Sequence, residues 1–356
     1  MARLKIPGRP LRWMVTHVTF VTGQNPAYRP THRHEQPDSL QLNLGLQVPS
    51  IGVAENFLGV DWVEALDLGA VTVLTGADRG KYPHGNSLLV QGTHQNVLID
   101  PSLTVAERGL SFPVDHALLS HVHEDHLPGL SQLPGVPVHC HEADAIGLAS
   151  LDGLMTMYGM PSDMEKEFRQ EILDDFYYAP QLEFSTFSDS EVFDLGGVEI
   201  EVVHTPGHTR GHCVFVIPQA RTAYLGDIEL SGFGPYYFDE WSSLDEFEQS
   251  IERCRSLDAD HFVTFHHKWV ISGRAKFLAM LEDFANVIVS RELSMLEFLK
   301  EPRSLDECAV HRFVYRPHVD MKFVDHVELR SAQIHLDRMV GDRRVTQMPD
   351  GKFRSR

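Results

Sequence analysis

Ala117–Ser120 is a short apolar run of the kind that makes a buried strand, and it leads directly into His121-Val122-His123-Glu124-Asp125-His126. Four potential metal ligands in six residues, placed where a strand stops, constrain the fold more than any other feature of this chain. Residues at alternate positions of an extended segment point the same way. His121 and His123 can therefore approach one ion together, while Asp125 and His126, on the turn that follows, can reach a second. A lone histidine is usually a satisfied or surface group, but that reading does not accommodate four ligands this close together. Imidazole nitrogen and carboxylate oxygen suit Zn²⁺ at bond lengths of about 2.0–2.2 Å.

The same arrangement recurs. Val198–Val203 is β-rich and ends in His204-Thr205-Pro206-Gly207-His208-Thr209-Arg210-Gly211-His212, where Pro206-Gly207 is a tight turn. Tyr224-Leu225-Gly226-Asp227 is an apolar strand closed by an acid, and Phe262-Val263-Thr264-Phe265 runs into His266-His267. Ligand sets at the ends of several strands are how a sheet-based enzyme assembles a site.

The surrounding pattern supplies the scaffold. Val71–Thr75, Ser87–Gln91 and Asn96–Ile99 form an early strand series; Val198–Val203, Cys213–Ile217 and Thr222–Leu225 form a later one. Helical patterns separate the two. Ser162 and Glu165 have capping-box spacing, and Met164, Phe168, Ile172 and Phe176 then recur every fourth residue. The stretch 151–195 has 11 acids against 2 bases and reads either as a lid over the site or as a surface helix packed by its apolar face. A helix is expected from Arg274 to about Leu299, stopped by Pro302. Ser304 and Glu307 form another capping box, Asp325–Val340 is helical with Gly341 as its C-cap, and Val345–Met348 with Phe353 makes a hairpin around Asp350-Gly351. The expected organisation is an irregular extension at 1–60, a catalytic domain at 61–272, a connecting helix at 273–300 and a C-terminal module at 301–356.

Taken together, the order HxHxDH, HTPGHT, GD and a late strand ending in histidine resembles the metallo-β-lactamase superfamily over roughly residues 70–272. The resemblance implies an α/β fold, an αββα sandwich with metals at one edge. It also implies a binuclear centre of two ions, zinc expected and Mn²⁺ or Fe²⁺ open. Carried over, His121, His123 and His208 would hold the first ion, and Asp125, His126 and His266 the second, with Asp227 bridging them. His267 is the alternative to His266, and His204 and His212 match positions that support the fold. A water or hydroxide between the metals would be the nucleophile, with Asp125 ligating and orienting it.

The substrate is constrained less sharply. Asp227 stands where true β-lactamases commonly carry cysteine. Gly226–Gly232 looks similar to glyoxalase II, but Phe233-Gly234-Pro235-Tyr236-Tyr237 replaces that branch's glutathione-binding residues. Tyr236 or Tyr237 could donate to a substrate oxygen; aromatic packing is the plainer reading of both. The chain carries a net charge of −19, which opposes nucleic acids and anionic membranes as partners. The C-terminal segment resembles a winged-helix-like module of some family members. Its 11 Lys/Arg against 9 Asp/Glu favour packing or homodimerisation over DNA binding. The expected reaction is hydrolysis of a small ester, lactone or thioester. Two alternatives within the same fold are a mononuclear iron persulfide-dioxygenase-like oxidoreductase, using His121, His208 and Asp227, and a phosphodiesterase or ribonuclease. Four well-separated cysteines with no CxxC pair suggest a reduced, cytoplasmic protein. Six bases and no acid in residues 1–33 read as a basic arm, with an organelle-targeting segment as the alternative.

Overall fold

The computed structural model describes residues 65–356 apart from 320 and 322; the expected N-terminal extension and basic arm lie outside the described residues. Seven strands form the first sheet in sequence order: β1 (Ala65–Asp67), β2 (Val71–Leu74), β3 (Ser87–Gln91), β4 (Asn96–Ile99), β5 (His116–Leu118), β6 (Val138–His141) and β7 (Ser185–Phe187). The first four pair antiparallel, with a longer loop over residues 75–86 between β2 and β3, and β4 to β7 pair parallel through crossovers. A second sheet holds β8 (Val192–Asp194), β9 (Glu199–His204), β10 (Cys213–Ile217), β11 (Thr222–Tyr224), β12 (His261–Val263) and β13 (Val270–Ser272), in the order β13-β12-β11-β10-β9-β8.

The two-residue period of the strands decides how the layers stack. On β3, Leu88 and Val90 face the second sheet, whereas Leu89 turns to the helices outside. On β10, Cys213, Phe215 and Ile217 face the first sheet, and Val214 and Val216 face outward. Each sheet is thus buried on both faces. Against the first lie α1 (Leu103–Arg108), α2 (Ala145–Ala149), α3 (Leu151–Tyr158) and α4 (Ser162–Asp174), through residues such as Val105, Leu148, Leu154 and Ile172. Against the second lie α5 (Leu244–Cys254) and α6 (Arg274–Phe298), through Phe247, Ile251, Phe277 and Phe284. The result is the αββα sandwich.

Beyond α6, α7 (Leu305–His311), α8 (Val324–Gly341) and the hairpin of β14 (Val345–Gln347) and β15 (Phe353–Ser355) enclose a separate core. Met295, Leu299, Cys308, Leu336, Met339, Val345 and Phe353 make it up. Among the described residues no helix is long and apolar enough to cross a membrane.

Two expectations of local structure change. The Ser162 side chain does not cap α4: the helix already includes Ser162, Pro161 occupies the cap position, and Glu165 turns to Arg169. Gly341 is the last helical residue of α8 rather than its cap, and Arg343 at φ 61° takes the left-handed position beyond it. The segment 151–195 holds α3, α4, β7 and β8, so it also carries the chain from one sheet to the other.

Candidate metal centre

The carboxyl ends of β5 and β11, the loops after β9 and β12, and the turn after His123 meet at one edge of the sandwich. There the side-chain donor atoms of His121, His123 and His208 lie within 4.8 Å of one another, and so do those of Asp125, His126 and His266. Asp227 joins the two groups. Its Oδ1 is 3.2 Å from His126 Nε2 and its Oδ2 is 3.3 Å from His208 Nε2. Asp125 Oδ2 lies 2.9 Å from His266 Nε2. All seven residues predicted as metal ligands therefore converge. His267 does not join them; at φ 61° it turns its Nε2 to Glu229, 3.5 Å away.

Four of the five rings are aimed by the contact at their outer nitrogen. His121 Nδ1 meets Ser120 Oγ at 3.1 Å, and His266 Nδ1 donates to the Gly80 carbonyl at 2.8 Å. His208 Nδ1 donates to the Tyr236 carbonyl at 2.9 Å, while His126 Nδ1 sits 2.9 Å from Asp100 Oδ2. These contacts leave Nε2 of each ring facing inward. Behind them His212 Nε2 accepts from the Asp227 backbone N–H at 3.1 Å, and His204 Nε2 reaches the Arg210 carbonyl at 2.8 Å, which are the supporting places expected of both.

The inward atoms then lack partners. His121 Nε2, His123 Nε2, Asp125 Oδ2, His126 Nε2, His208 Nε2 and Asp227 Oδ1 are buried without a hydrogen bond. Unpaired buried polar atoms are costly, and here they all point at one another. Burial, reinforced by neighbouring imidazoles, pushes the pKa values of His121 and His123 well down, so both rings are neutral as metal ligands must be. Burial would raise the Asp227 carboxyl, but His266 and His126 outweigh it and hold it well below the usual carboxylate range. A set of imidazole nitrogens and carboxylate oxygens turned toward one another fits divalent cations.

Several residues at this site carried no sequence assignment, whereas Tyr158 belongs to the stretch 151–195 read as a lid. Asp100, at φ 49°, accepts from the Ser120 N–H at 2.6 Å, the Ser120 hydroxyl at 2.5 Å and the Tyr224 hydroxyl at 3.0 Å. Its signal is the one that marks Asp227, an acid closing an apolar strand. Glu124 is buried between the hydroxyls of Tyr82 and Tyr158, and burial next to Asp125 pushes its carboxyl up to about 8. The Tyr158 ring stacks on His123 at 5.0 Å. Asp239 Oδ2 is 3.4 Å from His123 Nε2, and nothing in the local sequence pattern points to it.

The two candidate catalytic tyrosines separate. Tyr236 borders the centre, its ring 5.9 Å from His208 and its hydroxyl 3.4 Å from Asp239 Oδ1. Tyr237 is not brought to the centre: it is fully buried, with its hydroxyl bonded to Arg291 at 3.0 Å and to His335 at 2.9 Å. Neighbouring residues in an extended loop face opposite ways, and the packing reading applies to Tyr237.

An αββα sandwich with a histidine and aspartate centre at its sheet edge defines a class of metal-binding proteins. The chain belongs to the metallo-beta-lactamase superfamily, whose sequence model matches residues 82–267, a span that holds all seven converging residues. A hydroxyacylglutathione hydrolase of Cereibacter sphaeroides is 26% identical over 238 residues, covering 64% of this chain and 79% of that protein. An acyl-coenzyme A thioesterase of Bos taurus is 28% identical over 201 residues, covering 48% and 66%. An uncharacterized protein of Mycobacterium tuberculosis is 33% identical over 106 residues, and the chain spans only 43% of that relative's length. Among solved structures, a metallo-beta-lactamase family protein from Thermus thermophilus superposes with a TM-score of 0.61 at 22% identity, covering 81% of this chain and 99% of that one. A beta-lactamase domain protein from Burkholderia ambifaria gives 0.62 at 15% identity, covering 86% and 98%. At these identities the structures attest the fold.

Proposed function

We propose that this protein is a binuclear metal-dependent hydrolase acting on a small ester, lactone or thioester. The observation that carries the reading is the convergence of unpartnered imidazole nitrogens and carboxylate oxygens at one sheet edge. His121, His123 and His208 would hold one ion, Asp125, His126 and His266 the other, with Asp227 shared and zinc the expected metal. Two such ions supply a water acidified to a pKa of about 7 and a Lewis acid for the substrate oxygen. The chain supplies the rest. Asp125, held by His266, orients the attacking water. Tyr236 stands where a hydroxyl can donate to a substrate oxygen beside the first half-site. Tyr82 and Tyr158 wall the cleft on the Glu124 side.

Three features favour a carbonyl substrate over a nucleic-acid phosphodiester. The chain's net charge of −19 repels a polyanion. Only the isolated Arg210 and Lys268 lie near the histidine motifs in the sequence, and Arg210 lies over the Trp241 ring at 4.2 Å, whereas phosphate clamps usually need several cations. Relatives with named activities include a hydroxyacylglutathione hydrolase and an acyl-coenzyme A thioesterase. A reducing, cytoplasmic setting fits the four cysteines, which are all buried and unpaired.

The test joins metal analysis to a substrate panel. Fully loaded protein is expected to hold two ions per chain, and His208→Ala and His266→Ala should each lose one. A single ion in the wild type, unchanged by His266→Ala, would sink the binuclear reading, and oxygen uptake with a persulfide would replace it with the dioxygenase. In the panel, kcat/KM for thioesters and lactones should exceed that for bis-aryl phosphodiesters and short RNA. A preference of about a hundredfold or more for the phosphodiester, about 2.7 kcal/mol in barrier, would overturn the substrate class and leave the metal centre standing.

A further inference from the structure

The imidazoles of the centre are not all aimed by the same part of the molecule. Ser120, Asp100 and Gly80, which set His121, His126 and His266, lie in the strand ends and loops of the first sheet. His208 instead leans on the Tyr236 carbonyl, in the irregular segment 233–239 between β11 and α5. What holds that segment therefore governs His208.

The holder is Arg291, in the middle of α6. Its Nη2 donates to the Phe233 carbonyl at 2.7 Å, and its Nη1 donates to the Pro235 carbonyl at 2.9 Å and to the Tyr237 hydroxyl at 3.0 Å. The guanidinium carbon sits 5.5, 5.5 and 5.3 Å from the ring centres of Phe233, Tyr237 and Phe238. Arg291 is only 3% exposed, and no carboxylate comes within 4.0 Å of it among the described residues. A permanently charged group is costly to bury without an acid, and these guanidinium hydrogen bonds all end on the segment that carries Tyr236. With the Pro235 carbonyl drawn to Arg291, the next carbonyl, that of Tyr236, is turned the other way, onto His208. The Tyr237 hydroxyl, accepting from Arg291, is left to donate to His335 Nε2 on α8, so the C-terminal helix backs the same clamp.

We propose that Arg291 is a positioning residue for the first metal half-site. By fixing segment 233–239 it holds the Tyr236 carbonyl on His208 Nδ1–H, which sets the tautomer and orientation in which His208 presents Nε2. The inference rests on the binuclear reading. Groups that orient a ligand histidine from behind typically contribute about 10–100-fold to metal affinity, and here that contribution falls on one ion of the pair.

The test titrates metal-free wild type, R291M, R291K and R338M with Zn²⁺ by equilibrium dialysis, and follows folding by circular dichroism. Arg338, also on the C-terminal side, pairs with Glu248 at 2.7 Å and lies 3.6 Å from Glu292, and none of its hydrogen bonds ends on segment 233–239. It therefore reports general destabilisation. R291M is expected to keep the second-site ion at wild-type affinity and to bind the first about 10–100-fold more weakly. R291K, with a compact ammonium that cannot span both carbonyls, should show the same selective loss, and it carries the test if R291M fails to fold. R338M should lose thermal stability with both ions retained. Wild-type affinity at both sites in R291M and R291K would overturn the proposal, as would parallel loss of both ions matched by R338M. The wild-type stoichiometry reports separately on the binuclear reading, and fewer than two ions there would remove the half-site on which the proposal depends.

Discussion

At the sheet edge five imidazoles and two carboxylates face one another with no lysine or arginine among them, whereas around Glu292, on the C-terminal side, a carboxylate is ringed by cations. Glu292 contacts Arg344 at 2.5 Å, Arg338 at 3.6 Å and His335 Nδ1 at 3.5 Å, and is largely buried. Both clusters contain buried atoms without hydrogen bonds. At the sheet edge those atoms belong to six of the seven converging residues, all but His266, and they face one another across the centre. Around Glu292 they are Glu292 Oε1, His335 Nδ1 and Arg338 Nη1, donors and acceptor together, so the charge closes locally. A buried cluster of imidazoles and carboxylates that converge on one point is suited to take a cation from outside, whereas one that pairs a carboxylate with guanidinium groups uses its charge to hold helices together. Composition of the cluster, rather than burial or density of charge, separates a candidate metal centre from a structural ion-pair network.

Asp227→Asn strikes at the first half of that distinction and should have the largest effect. It keeps the shape and removes one of two carboxylates. The expected outcome is a fall in kcat of about a thousandfold or more, about 4 kcal/mol in barrier, with weakened metal binding. Thermal unfolding of the metal-free protein at neutral pH should show a modest loss of stability, because the carboxylate that His266, His126 and His208 face has gone. Wild-type turnover by this variant would show that the cluster is not the metal centre.

Glu292→Gln is the reciprocal experiment. Contacts with His335 and Arg344 overcome burial and hold the Glu292 carboxyl down, to about 2. Its folded pKa lies below the ordinary glutamate value, so its stabilisation is fully present above about pH 4.5 and fades as pH falls toward 2. The variant should lose about 2–3 kcal/mol at pH 7 by denaturant unfolding, and the gap from wild type should narrow at pH 3. Metal content should stay at the wild-type level. A pH-independent deficit, or loss of metal, would erase the contrast between the two clusters.

Much of the centre is legible in the sequence because ligands that act together are adjacent in the chain. His121, His123, Asp125 and His126 occupy one strand end and its turn, so local geometry alone brings them together. That His208, Asp227 and His266 join them follows from strand order, which family resemblance supplied and periodicity could not. Residues that aim the ligands are harder to see. Arg291 acts from 56 residues beyond the Pro235 carbonyl it binds, on a helix whose pattern shows only an ordinary basic residue. Asp100 and Tyr158 likewise reach the centre from separate segments. In the scaffold, β7 and β8 have three residues each, mostly exposed or half-buried, too short and too wet for a two-residue period to register.

The two capping patterns sharpen the comparison at its smallest scale. Ser162 with Glu165 and Ser304 with Glu307 are equivalent in sequence, yet only the second forms a box. The Glu307 N–H donates to Ser304 Oγ at 3.1 Å, and Glu307 Oε2 accepts from the Ser304 N–H at 2.8 Å. The difference lies one residue upstream. Pro161 is extended at φ −56°, ψ 146° and the helix begins directly after it, so the Ser162 hydroxyl is already inside the first turn. Ser304 is itself extended, at φ −78°, ψ 165°, and its hydroxyl can fold over the first turn. Ser304→Ala should therefore cost about 1 kcal/mol, and Ser162→Ala a few tenths at most. Because α7 packs in the C-terminal core rather than on the sheet edge, the Ser304→Ala deficit should be the same in metal-free and metal-loaded protein, as additivity of distant sites requires. Unfolding midpoints measured with and without chelator check this. A Ser304→Ala penalty that vanishes when metal is bound would mean that the two regions share one energetic unit, and that the charge-closed cluster is a working part of the centre rather than its support.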